Sequence, residues 1–190
     1  MGSNTNIAVY AVALRRFSVV GILLISSFFL FIAVTQVVEN VFAAATITVN
    51  STADDQSNDG ECTLREAITA ANVDTASGVA GGECAAGSGT GDTIEFNIAG
   101  AGPHSIALGS SLPSITDDGL TINGYSETGA IANSAVSPAP FNGTLMIEID
   151  GTGTTITTGH CLQISADTVA IRGLVINNCG KDGITMFGSN

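Results

Sequence analysis

The sequence predicts a mainly β protein, a right-handed parallel β-helix of solenoid coils preceded by an N-terminal strand-loop-helix cap and a hydrophobic signal or anchor helix. Composition is the first reason: 45% of the 190 residues are hydrophobic, 12% are charged, 23 are Gly and none is Trp, a balance suited to short strands and tight turns. The second is a repeat. Leu162-Gln163-Ile164-Ser165 is matched 22 residues later by Ile184-Thr185-Met186-Phe187, and a fixed period of that length points to a solenoid. Three strands lie within that period, Leu162 to Ile164, Val169 to Ile171 and Leu174 to Ile176, with turns at Asp167 and Gly173. Each such coil buries its inward residues only when a neighbour stacks on it.

In chain order, Arg15 and Arg16 precede an uncharged run from Phe17 to Val34, and Val41-Phe42-Ala43-Ala44-Ala45 follows. Basic, apolar and small-residue regions in that order make a secretory signal for the general secretion route, cleaved after Ala43 or one or two residues later. The competing reading is an uncleaved anchor, since 18 apolar residues are close to the length that spans a bilayer. Residues 1–43 are therefore expected to be a signal peptide or membrane anchor, 44–126 the cap with the first strands, and 127–190 the coils. The chain stops at Asn190 just after one strand of a new coil, without a capping element, which points to a truncated chain.

Thr46 to Val49 alternates as an opening strand. The stretch from Thr63 to Asn72 predicts a helix, with Thr63 and Glu66 in capping-box spacing and Leu64, Ile68 and Ala71 on one face. Strands are expected over 93–98, 105–108, 120–123, 145–149, 162–164, 169–171, 174–176 and 184–186, where apolar residues alternate between turn residues.

Cys62-Thr63-Leu64-Arg65-Glu66-Ala67-Ile68, Ala71-Asn72, Gly91-Asp92-Thr93-Ile94-Glu95-Phe96 and Leu112-Pro113-Ser114-Ile115-Thr116-Asp117 together resemble the CSLREA-domain family of exported bacterial proteins. The resemblance covers about residues 46–126, with Thr63 where the family's name has Ser. It implies a secreted or surface protein carrying a parallel β-helix, and it implies no established catalytic residues.

Four cysteines in an exported chain make two disulfides with three possible pairings. Cys62 with Cys84 and Cys161 with Cys179 is preferred; the first would close 23 residues, worth about 3 kcal/mol of loop entropy. Buried free thiols are the competing reading, and the lack of any Cys-x-x-Cys pair argues against zinc.

Asp55 to Glu66 has the oxygen spacing of a calcium-binding hand loop, with Gly60 at its sixth position. Asp55, Ser57, Asp59, the Glu61 carbonyl and bidentate Glu66 are the candidate ligands, and calcium is the one cofactor the sequence suggests. Against it, a strand rather than a helix precedes the loop, and Glu66 serves equally as a capping residue.

Formal net charge is −12. Losing Arg15, Arg16 and Glu39 leaves 16 acidic against 3 basic residues, or −13, which excludes nucleic acid as a partner because phosphate binding needs clustered Lys and Arg. The membrane is met only through the N-terminal segment. The function these features favour is a non-enzymatic structural or adhesive module, secreted or on the bacterial cell surface, offering its strand faces to glycans or host surfaces. The alternative is the N-terminal part of a polysaccharide lyase or glycoside hydrolase whose site lies in missing coils. Its candidate groups are Asp117, Asp118, Asp150, His160, Asp167, Arg172, Lys181 and Asp182, most of them beside turn residues and none in a catalytic spacing. His104 and His160 stand without an evident partner in the sequence.

Overall fold

The computed structural model describes residues 43–152 and 159–188. Among the described residues one α-helix, α1 (Leu64–Val73), and nine short strands carry the fold. The strands are β1 (Thr46–Val49), β2 (Thr93–Phe96), β3 (His104–Ala107), β4 (Thr121–Asn123), β5 (Ile147–Asp150), β6 (Leu162–Ile164), β7 (Ala170–Arg172), β8 (Leu174–Asn177) and β9 (Ile184–Met186). All pair in parallel, forming a four-stranded sheet β1-β2-β4-β7, a three-stranded sheet β3-β5-β8 and a two-stranded sheet β6-β9.

Register follows side-chain chemistry. Ile47, Ile94, Ile122 and Ile171 stand in one row across the first sheet, and Ile106, Ile149 and Ile176 form a second row. In the third sheet Leu162 pairs with Ile184 and Ile164 with Met186, so the 22-residue spacing does mark a strand pair. Because a strand's side chains alternate, a one-residue slip would turn each apolar row out of the core.

The α1 start reads as expected. Thr63 accepts the Glu66 amide and Glu66 accepts the Thr63 amide, a complete capping box. Asp74 ends the helix in the left-handed region at φ 53°. Its apolar face, Leu64, Ala67, Ile68 and Ala71, joins Ile47, Val49, Ile94 and Phe96 in one core.

Two parts of the expected architecture are corrected. The strands make three separate small parallel sheets and not the closed solenoid of a right-handed parallel β-helix. The physical reason is the lack of a constant period. Thr46 pairs with Thr93, Thr93 with Thr121 and Thr121 with Ala170, offsets of 47, 28 and 49 residues, and the spacing of 22 holds only between β6 and β9. Irregular segments such as 74–92 and 127–146 lie between strands and vary the path. As for the hydrophobic helix, Phe17 to Val34 lies outside the described residues, and among the described residues no helix is long and apolar enough to cross a membrane.

Both preferred cysteine pairs are disulfides, Cys62–Cys84 with Cα atoms 4.7 Å apart and Cys161–Cys179 at 5.5 Å. Such bonds persist in oxidising surroundings.

Candidate functional site

The acidic loop is built from local hydrogen bonds. Asp55 accepts the Ser57 amide at 3.0 Å and Asp59 the Glu61 amide at 3.0 Å, both side chains closing turns on their own backbone. Glu61 accepts the Ser51 hydroxyl. Asp55, Ser57, Asp59 and Glu61 are exposed, whereas Glu66 is buried in the capping box, its Oε2 3.0 Å from the Thr63 amide nitrogen. Burial pushes the Glu66 carboxyl up from the ordinary range, opposed by the Thr63 hydrogen bonds. Among the described residues no three of His, Cys, Asp and Glu converge on a point that could hold a metal ion. Beside the helix a cavity of about 130 Å³ is lined by Gln56, Glu66, Thr69 and Val73, well below the roughly 300 Å³ at which small-molecule sites begin.

Of the groups considered for carbohydrate chemistry, Asp117 and Asp118 diverge. Asp118 is exposed and accepts the Asp167 amide at 2.8 Å. Asp117 is 5% exposed; one oxygen accepts the Asp92 amide at 3.3 Å and the other is buried without a hydrogen-bond partner. Burial first, then the neighbouring Asp92 charge, pushes the Asp117 carboxyl up to about 6. Asp150 accepts Asn178 and Thr152, with the Asn178 amide the main cause of its lowered pKa. Arg172 donates to Asn123, the neighbouring residue across the sheet. Lys181 and Asp182 are exposed near β9.

His160 is not alone. Its Nδ1 lies 2.7 Å from the Thr185 hydroxyl and 3.1 Å from Asp182 Oδ2, and its ring meets Phe187 edge-on. Hydroxyl, imidazole and carboxylate in one cluster suggest a nucleophile relay, but a relay needs the hydroxyl and the carboxylate on opposite ring nitrogens. Here both share Nδ1, so the arrangement orients the ring and does not activate Thr185. Its members come from either side of the β6–β9 pair, a juxtaposition that depends on the pairing of those strands.

Further carboxylates escaped the sequence reading, Asp54 and Asp92 among them. Asp54 forms a two-pronged ion pair with Arg65, at 2.9 and 2.8 Å, and Arg65 also donates to the Ser110 and Ser111 carbonyls. Asp92, fully buried, accepts the Ala45 amide at 2.8 Å and the Ser88 amide at 3.0 Å. The only sequence signal for Asp92 is its place between Gly91 and the first residue of β2, where an acidic residue passes for a turn.

Compared with protein-family models, with curated proteins and with solved structures, the chain matches none.

Proposed function

We propose that the chain is an exported structural or adhesive module, released or displayed at a bacterial surface through the general secretion route and meeting glycans or host surfaces with its exposed polar faces. The observation that carries this reading is how the acidic and cysteine side chains are used. Both disulfides and the carboxylates of Asp54, Asp92 and Glu127 tie distant backbone segments together, while those of Asp55, Asp59 and Glu66 close turns and the helix start. Side chains spent on rigidity suit a scaffold, whereas a hydrolase holds two carboxyls across an open groove. The resemblance of residues 46–126 to the CSLREA-domain family supports the same reading.

The test begins with the exported protein under non-reducing conditions, expected to start near Ala44 and to be four hydrogens lighter than its reduced form. Binding to immobilised polysaccharides and host matrix proteins should saturate without release of sugar fragments. Sugar release from a polysaccharide would overturn the proposal. With Glu66 committed to its cap, added calcium is expected to leave the unfolding midpoint unchanged.

A further inference from the structure

Asp92 presents an unbalanced charge. It is fully buried, and among the described residues the only basic side chains within 4.0 Å of a carboxylate oxygen are Arg65, on Asp54, and His160, on Asp182. A buried carboxylate without a counter-charge is costly even when hydrogen-bonded. Its surroundings make matters worse, because Asp117 is buried against its amide with one orphan oxygen, and Asp74 and Asp118 add negative charge to the same neighbourhood.

The compensating cation is one the chain itself supplies on processing. We propose that Asp92 is the receptor for the α-ammonium group of the mature chain, which begins at Ala44 or Ala45. The inference rests on the export reading above. Ala43 and Ala44 are exposed, so the bonds beside them are open to a signal-peptidase-class protease. Hydrolysis adds one water; the upstream segment leaves as a carboxylate and the former amide nitrogen becomes –NH3+. The Ala45 nitrogen already lies 2.8 Å from Asp92 Oδ1, and a start at Ala44 sets the ammonium one residue away, within about 3.8 Å of chain.

Ser88 fits the same event. Its hydroxyl stands 2.6 Å from the Ala43 carbonyl and 3.1 Å from Asp92 Oδ1, and its single proton serves one acceptor at a time. Departure of Ala43 frees it for Asp92. A cut after Ala45 is disfavoured, since it would also remove the carbonyl that accepts the Thr93 amide at 2.8 Å.

Lys181 is the only lysine, so in exported Lys181→Arg protein the α-amine is the sole aliphatic amine. Its pKa, read from the pH dependence of its acetylation rate, is expected at least one unit above the ordinary 7.7–8.0 or so. Acetylating it should lower the unfolding midpoint by about 5 °C with Asp92 present and by less than about 1 °C in Asp92→Asn. An ordinary amine pKa, an equal drop in both proteins, or a mature chain starting at Thr46 or later overturns the inference. If Asp92→Asn does not fold, the amine pKa decides. A chain recovered at full length sinks the export reading as well; a processed chain with an ordinary amine sinks only the receptor role of Asp92.

Discussion

The strands beside α1 and the strands late in the chain are built from similar residues and finished differently. The isoleucine row of the first sheet starts at β1, beside α1, and Ile47, like Ile94 and Ile122 after it, has no exposed surface. That row ends at Ile171 of β7 and the row of the second sheet at Ile176 of β8, both half-buried like Leu174, and in the third sheet Ile184 and Met186 of β9, with Phe187 after them, are 41%, 78% and 51% exposed. The polar groups differ in the same way. Ile115 faces β6 and exchanges backbone hydrogen bonds with Gln163 and Ser165. On its other side the Asn72 side chain takes the place of a strand, donating to the Ser114 carbonyl and accepting the Thr116 amide, each at 2.8 Å. A helix thus closes a sheet edge with one amide and a sheet face with its apolar stripe, which is one way proteins protect such edges.

The largest test of this contrast lies along the first isoleucine row. Ile47→Ala is expected to cost about 4 kcal/mol, as for a fully buried residue whose cavity cannot collapse, and Ile171→Ala about 1 kcal/mol. Urea unfolding of the two variants measures both. Equal losses would mean that β1 is no better packed than β7.

Acidity acts beside α1. Asp117 directs its own amide to Asn72, and its folded pKa of about 6 stands above the unfolded value of 3.8. A carboxyl with a raised folded pKa binds its proton more tightly in the folded state, so stability falls as pH rises from about 4 through about 6 and is then flat. Glu66 is raised too and adds in the same direction. Glu83 and Asp150 are lowered, so their contribution is lost only as pH drops below the ordinary carboxylate range. In protein whose α-amine is acetylated, the unfolding free energy should therefore be higher at pH 5 than at pH 7, by an amount on the order of 1–3 kcal/mol. Asp117→Asn should flatten most of that slope; an unchanged slope would assign it elsewhere.

Asn72→Ala comes next, at about 1–2 kcal/mol, because it leaves the Ser114 carbonyl and Thr116 amide without their partner. Asn72→Asp sharpens the point, since a carboxylate still accepts from Thr116 but no longer donates to Ser114. Hydrogen exchange at Thr116 should accelerate in the first variant and stay protected in the second.

The same contrast explains what could be read in the sequence. The helix and all nine strands were legible within one or two residues, since a capping box and alternating apolar residues are local signals; the cysteines left three pairings open, of which the preferred one is formed. The grouping of strands into sheets was not. Pairings 27 to 49 residues apart, such as Ile147 with Leu174 or Thr121 with Ala170, depend on how irregular segments fold back, and a single 22-residue match suggested more regularity than exists. Asp92 and Asp117 stayed hidden because Asp beside Gly or Thr looks like a solvated turn, and only the packing of α1 and 86–92 around them reveals that they are buried. Asn72 could be read as a helix end; its role as a strand's substitute depends on which segment it meets.

The smallest effect is expected at β9. Met186→Ser removes a side chain that is 78% exposed, with little buried area to lose, so the midpoint should move by less than about 1 °C and the stability by less than about 0.5 kcal/mol. Solubility should rise, because Ile184, Met186 and Phe187 place apolar surface on an edge strand, where it favours association. The measurement is a melt at two protein concentrations. If Met186→Ser instead lowers the midpoint by several degrees, and more at the higher concentration, then β9 is covered in solution by another molecule, and the difference between the two regions is between a cap made within the chain and one supplied from outside it.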